Sequence, residues 1–450
     1  MPIVDIYELY SDLTPGSAIL HNHASHLFPG GICHNIRLFD PHPIYPRQAV
    51  GPVVIDVDGR EIVDLWMGHY AMILGHANPQ VKAAAVAALE NGWQWGMPNE
   101  TEVRLADEIM LAVPALKKIR FCCSGTEATM YAVRLARAFT GKNWVLKVSG
   151  GWHGASTDLS YSVQSKNGEP EGPGLLDPSA QGVATLAFNE IESSQKVIEA
   201  HQDKIAAIIV EPMLGAGGFI PANPEYLKFL RKTCDDIGAL LIFDEIITGF
   251  RFRYGSLGDE YGVKPDLSTF GKIVGGGFPI GVYGGREDVM ELADPSGSRS
   301  PGRPVLVGGG TFSANPVTMA AGLSTLDILR TQQASIYPSL AQKGEQLRKG
   351  IRERMEAAGL KASCTGKGSL FMTHLLRDFA AAAEIKSPAD MASMTYSSVA
   401  DKELKIALLN HGVFTMHGGG AVSAAHKEEH LEKTLDAFEC AAREIKGFLK

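Results

Sequence analysis

Between residues 118 and 285 short apolar runs alternate with helix-patterned stretches, and this alternation constrains the fold more than any other feature. The apolar runs are "KIRFCC", "WVLKVS", "VATLAF", "IAAIIVEP", "LLIFDEI", "LSTFG" and "GVYGG". They carry little polar alternation, as strands buried on both faces do. Segments such as "TEATMYAVRLARAF" and "NPEYLKFLRKTCDDIG" show helical periodicity between them. The expected fold class is α/β: a large domain with a mostly parallel seven-stranded sheet and helices on both faces, plus a smaller α+β domain. Residues 1–60 read as an N-terminal segment packing with the small domain, 61–325 as the large domain and 326–450 as the small one. The dipeptide "DG" at 58–59 marks a hairpin turn.

Composition excludes several classes. The chain has 450 residues, a formal net charge of −8 and no basic tract, so neither nucleic acid nor an anionic membrane is an expected partner. The longest apolar runs are strand length, far short of a membrane span. "MPIVDIYELYSDLTPG" lacks the cationic start and apolar core of a signal peptide. Six scattered cysteines, with no C-x-x-C, read as reduced thiols and point to the cytoplasm. The histidines of "HNHASH" (His21, His23, His26) lack a completing ligand set at zinc spacing, and no metal is expected.

Ligands of open α/β sheets sit at the carboxyl ends of the strands, where several unusual residues fall. Ser124, Gly125 and Thr126 lie between a strand and a helix N-terminus, a cradle for an anion or an ordinary N-cap. Trp152 and His153 occupy the glycine-framed turn "SGGWHGAS", as a ring-stacking site or as packing aromatics. Asp244 ends an apolar strand and needs a cation: a protonated pyridine nitrogen, or Arg251 or Arg253 in a structural ion pair. Ile246, two residues on, would point to the same side as Asp244 along a strand. Lys272 follows the next strand among apolar residues and glycines. Such an amine either snorkels to water or is held with a lowered pKa as a nucleophile. Anion cradle, flat aromatic, buried carboxylate and apolar-set lysine together are what pyridoxal 5'-phosphate requires.

The joint pattern resembles the class III pyridoxal-phosphate-dependent aminotransferases, of fold type I, along nearly the whole chain. The likeness is to the branch of glutamate-1-semialdehyde 2,1-aminomutase, D-phenylglycine aminotransferase and the β-phenylalanine aminotransferases. It is carried by "FPGGICHNIRLFDPHP", "FCCSGTEATMYAVRLARAFTG", "GGWHGA", "VEPMLGAGG", "FDEIITGFR", "PDLSTFGKIVGGGFPIGVYGGRED" and "GGGTFSANPVTMAAG". The resemblance implies that Gly125 and Thr126 bind the phosphate and that Trp152 and Ile246 flank the ring. It implies that Asp244 meets the pyridine nitrogen, that Lys272 forms the Schiff base, and that Glu211 lies near the cofactor. Thr311 would reach the phosphate of the neighbouring subunit, which implies a homodimer with sites at the interface. Arg37 aligns with the region of a substrate-carboxylate arginine.

The implied reaction transfers an amino group between an amino acid, with α- or β-amino placement and an aromatic side chain among the options, and a keto or aldehyde acceptor, by way of pyridoxamine phosphate. The alternative is the intramolecular transfer of the semialdehyde aminomutases. Those enzymes carry a Phe-Glu pair near the C-terminal turn, whereas this chain reads "VFTMHGGGAVSAAH". Racemisation or decarboxylation on the same scaffold would use the same Asp244.

Overall fold

The computed structural model describes residues 5–163, 168–297, 304–378 and 384–449. The start of the Gly/Pro-rich loop expected at 165–182 lies outside the described residues. Beyond Gly168 that loop carries a short helix, Pro178–Gln181.

The chain forms two compact units, one of residues 79–337 with 386–388, the other of 1–78, 338–385 and 389–450. The boundaries fall at Asn78 and Tyr337 rather than at 60 and 325. Glu61–Asp64 belongs with the first unit boundary because it pairs in one sheet with Val53–Asp56 and Val413–Phe414. The second boundary falls inside the helix Gln333–Ala357, at Pro338, which has no N–H to give the helical ladder.

The larger unit is built on a seven-stranded sheet with the spatial order Lys118–Cys122, Gly281–Gly285, Leu267–Gly271, Leu240–Asp244, Ile205–Val210, Trp144–Val148, Val183–Leu186. Neighbours from Leu267–Gly271 to Val183–Leu186 run parallel. Gly281–Gly285 is antiparallel to both of its neighbours. Every residue of Ile205–Val210, Leu240–Asp244, Leu267–Gly271 and Gly281–Gly285 is buried, which is why these strands read as unbroken apolar or small-residue runs.

Chain punctuation fixes where the helices start and stop. Ser124 caps Gly125–Thr140, its hydroxyl accepting from the Glu127 N–H, and Gly141 closes that helix at φ 68°. Asn315 caps Pro316–Thr331 by accepting from the Thr318 N–H. Gly281 has a steric role: a Cβ there would lie 2.1 Å from the Ser124 carbonyl oxygen, so only glycine admits the turn that begins the first of these helices.

In the smaller unit, the antiparallel pair Val53–Asp56 and Glu61–Asp64 turns at Gly59, φ 84°. Helices Glu403–Asn410 and Glu428–Ile445 close its core through Leu404, Leu408, Leu431, Phe438 and Ile445. His426 is fully buried, and its Nδ1 accepts from the Ser423 N–H at 3.0 Å and from the Ser423 hydroxyl at 2.8 Å. Among the described residues no helix is long and apolar enough to cross a membrane, and no group of His, Cys, Asp and Glu could hold a metal ion.

Candidate active site

The parallel pairing of Leu240–Asp244 with Leu267–Gly271 sets Asp244 beside Thr269. Asp244 is buried. Its Oδ1 accepts from the Ile246 N–H at 3.0 Å and the Thr269 hydroxyl at 3.2 Å, and its Oδ2 pairs with His153 Nδ1 at 2.8 Å. Neither Arg251 nor Arg253 is its partner: Arg251 Nε donates to the Ile247 carbonyl, and Arg253 pairs with Asp259. An ionised carboxylate only accepts, so His153 Nδ1 carries the proton and Nε2 is a bare acceptor. Nε2 is buried with no hydrogen-bond partner among the described residues. Burial pulls the His153 pKa down, against the opposing pull of Asp244.

Ile246 corrects an expectation. The strand ends at Asp244 and Ile246 lies in a turn, because its N–H folds back onto the Asp244 carboxylate. Its side chain nonetheless fills the space between two glycines: a Cβ on Gly125 or on Gly271 would each lie 3.1 Å from Ile246 Cδ1. Ile246 therefore sits where the helix N-terminus meets the strand that leads into Lys272.

Lys272 opens a single turn, Lys272–Gly275, with φ 50°, a left-handed conformation rare for a residue with a side chain. Its amine makes no hydrogen bond among the described residues. Asp244 and Glu211 both favour the charged form, yet burial outweighs them and brings the pKa down to about 8. At that pH about half of the amine is free base, against under about 1% for an ordinary lysine.

The helix N-terminus offers an anion site. The N–H groups of Gly125 and Thr126 have no partner among the described residues, at the positive end of a 16-residue helix. Ser124, by contrast, is occupied as the cap, its hydroxyl also donating to Glu127 Oε2. The turn of Trp152 and His153 is laced to this helix. The Thr129 hydroxyl donates to the His153 carbonyl at 2.6 Å, and the Ala155 N–H donates to Thr126 Oγ1 at 3.2 Å. A Cβ on Gly154 would lie 2.4 Å from Thr126 Oγ1. Trp152 is 42% exposed, and its N–H donates to Glu211 Oε1. Burial raises the Glu211 pKa to about 8, with the nearby Asp244 adding to the rise.

The remaining expected residues stand elsewhere. Thr311 is exposed at the edge of a cavity of about 580 Å³ lined by Trp95, Met97, Arg120 and Phe121. Arg37 is exposed on the smaller unit, at the end of the turn Asn35–Arg37. Sequence reasoning missed Lys147, Thr129 and Thr269. Lys147 had a legible signal: it is a lysine inside an apolar strand, the same anomaly that marks Lys272.

The family described as aminotransferase class-III matches residues 38–438. A glutamate-1-semialdehyde 2,1-aminomutase of Ignicoccus hospitalis is 40% identical, over 94% of this chain and 97% of its own. An omega-transaminase from Sphaerobacter thermophilus has a similar structure, with a TM-score of 0.88, 34% identity, and 96% of this chain and 98% of its own covered. A structure described as a transaminase with PLP bound gives 0.86 and 32%, over 97% of this chain and 99% of its own. The chain belongs to the class III aminotransferases, and its fold is the fold type I of pyridoxal-phosphate enzymes. Its cofactor is pyridoxal phosphate. The residues fit that group: two N–H groups and a buried imidazole nitrogen that have no partner among the described residues, a buried carboxylate and an amine half discharged at pH 8 lie in one unit.

One consequence is measurable without substrate. The rate at which cofactor-free protein takes up pyridoxal phosphate, followed as the yellow colour appears, should rise with pH through a midpoint near 8, because only the free-base amine attacks. A midpoint at the ordinary lysine value would show that Lys272 is not the attacking group.

Proposed function

We propose that this protein is an aminotransferase that moves an amino group from an α- or β-amino acid to a keto acid, with Lys272 as its proton-transfer residue. The observation that carries the reading is the Lys272 amine, held near pH 8 beside the buried Asp244 carboxylate. Bound in this site, pyridoxal phosphate supplies the electron sink that stabilises negative charge at the substrate carbon. The Gly125 and Thr126 N–H groups would bind its phosphate, and Trp152 and Ile246 would flank its ring. Asp244, oriented by His153, would hold a proton on the ring nitrogen. The Lys272 amine would bind the cofactor through its aldehyde and, freed by the amino donor, would serve as the base that accepts the proton of the donor carbon.

Arg37 is assigned the substrate carboxylate, for which its forked guanidinium is suited. Thr311 is assigned to the phosphate of a second subunit. Supporting a homodimer, Trp93, Met97, Leu306 and Phe312 are each more than 60% exposed, a large apolar area to leave in water. A cytoplasmic location belongs to the same reading, supported by six cysteines that are all unpaired.

A second reading, intramolecular transfer of the glutamate-1-semialdehyde aminomutase type, is the one that the names of the curated relatives favour, at up to 40% identity over nearly the full chain. Against it stands "VFTMHGGG", with His417 in place of the expected Phe-Glu pair; solved transaminases at 32–34% identity favour the first reading. The deciding experiment is the visible spectrum of the purified protein with single amino acids: D- and L-aromatic, β-amino, glutamate and diaminovalerate. Bleaching of the yellow form by one simple amino acid, with release of a keto acid, supports the aminotransferase. A response to diaminovalerate or the semialdehyde alone overturns it in favour of the aminomutase.

A further inference from the structure

The Gly151–Trp152 peptide unit is held at both ends by buried side chains. Lys147, on strand Trp144–Val148, is 0% exposed, and its Nζ donates to the Gly151 carbonyl at 2.8 Å and to the Tyr161 carbonyl. Glu211, at the end of Ile205–Val210, is 3% exposed. Its Oε1 accepts from the Trp152 N–H at 2.9 Å and its Oε2 from the Gly215 N–H at 2.9 Å. The Gly151 carbonyl and the Trp152 N–H are the two poles of a single planar amide. The Lys147 amine donates at its oxygen and the Glu211 carboxyl accepts at its hydrogen, so each partner meets the matching end of the peptide dipole.

What the amide controls is visible on its far side. The Trp152 indole has no ring partner and no hydrogen bond among the described residues, so its direction is set by its own backbone. His153, the next residue, has its carbonyl fixed by Thr129 and its ring aimed at Asp244. A flip of the 151–152 peptide would break both contacts and redirect the chain leading to these two rings. Gly151 is also required for clearance, since a Cβ there would lie 2.9 Å from His153 Nε2.

We propose that Lys147 and Glu211 are positioning residues that clamp the Gly151–Trp152 peptide from opposite ends, and so set the Trp152 indole against the cofactor ring and the His153 imidazole against Asp244. The second half rests on the reading of Trp152 as a ring-flanking residue. Neither residue needs to touch the reacting atoms.

The test uses Lys147→Met, which keeps the length and apolar character of the stem, and Glu211→Gln, which keeps one acceptor oxygen. Two signals are read. In cofactor-free protein, acrylamide quenching of the Trp152 emission, taken as the difference from Trp152→Phe, reports the indole alone. In the cofactor-loaded protein, the visible circular dichroism of the cofactor reports its asymmetric surroundings. In each variant the quenching should rise and the visible band should weaken, with cofactor affinity falling about tenfold for a lost buried hydrogen bond. Both contacts hold one amide, so the double variant should lose little more than the worse single one. A folded Lys147→Met with wild-type quenching and a wild-type band would overturn the clamp. Should Lys147→Met fail to fold, Glu211→Gln decides on the same two signals. Altered quenching with an unaltered cofactor band would uphold the clamp and overturn the reading of Trp152 as ring-flanking.

Discussion

Lys272→Ala should lower turnover by at least about 10²–10⁴-fold, the range associated with one positioned proton-transfer group, while leaving the fold intact. The two halves of this result have separate causes. Activity falls because no other described amine shares the site's combination of burial, lowered pKa and proximity to Asp244; Lys147, the other lysine brought to about 8, is engaged by two carbonyl oxygens. The fold survives because the Lys272 amine makes no hydrogen bond that its removal would orphan, and alanine meets the same left-handed backbone that lysine already tolerates. Stability of the cofactor-free protein should even rise at neutral pH. A lysine whose folded pKa lies at about 8, below its ordinary 10.5, opposes folding in full below about 8, and that opposition fades as pH rises toward 10.5. Denaturant unfolding of the two cofactor-free proteins across this window checks the sign. Steady-state turnover with and without a small primary amine checks the chemistry, since free amine should restore part of the lost rate. Wild-type turnover in the variant would remove Lys272 from the mechanism.

How legible the site was follows from how its parts are spaced. The central strands were readable because burial on both faces leaves almost no polar residue to confuse the pattern, and "IAAIIV" and "LLIFD" are buried at every position. Lys272 was readable for the complementary reason, as a charge where the strand pattern allows none. Partnerships across the sheet were not. His153 and Asp244 are 91 positions apart, and only the parallel order of the strands brings them together. Ile246 was placed on a strand that stops two residues earlier, because the carboxylate of Asp244 captures its N–H, a local competition that apolar periodicity does not encode. The unit boundary at Asn78 was missed for a similar reason. Glu61–Asp64 pairs with Val413–Phe414, some 350 residues later, and nothing in its own composition announces that partner.

Asp244→Asn should leave a folded protein that binds cofactor yet turns over about 10²–10³-fold more slowly, the loss typical when one preorganised electrostatic group is removed. Asparagine fills the same volume and can still accept from the Ile246 N–H and the Thr269 hydroxyl through its carbonyl oxygen. Its amide group then occupies the place of Oδ2 and presents a donor to His153 Nδ1, which already carries a proton. The imidazole must move that proton to Nε2, whose buried surroundings provide no acceptor among the described residues. Two effects therefore add: the carboxylate charge that would hold a proton on the ring nitrogen is gone, and the ring that oriented it is in the wrong tautomer. Raising the cofactor concentration to saturation should not recover the rate, because the deficit lies in stabilising charge that develops during the reaction and not in occupancy. Measuring kcat and kcat/KM at saturating cofactor separates the two, and both should fall together. A variant that fell only in cofactor affinity, with kcat retained once saturated, would confine Asp244 to binding and take the electron-sink role away from it.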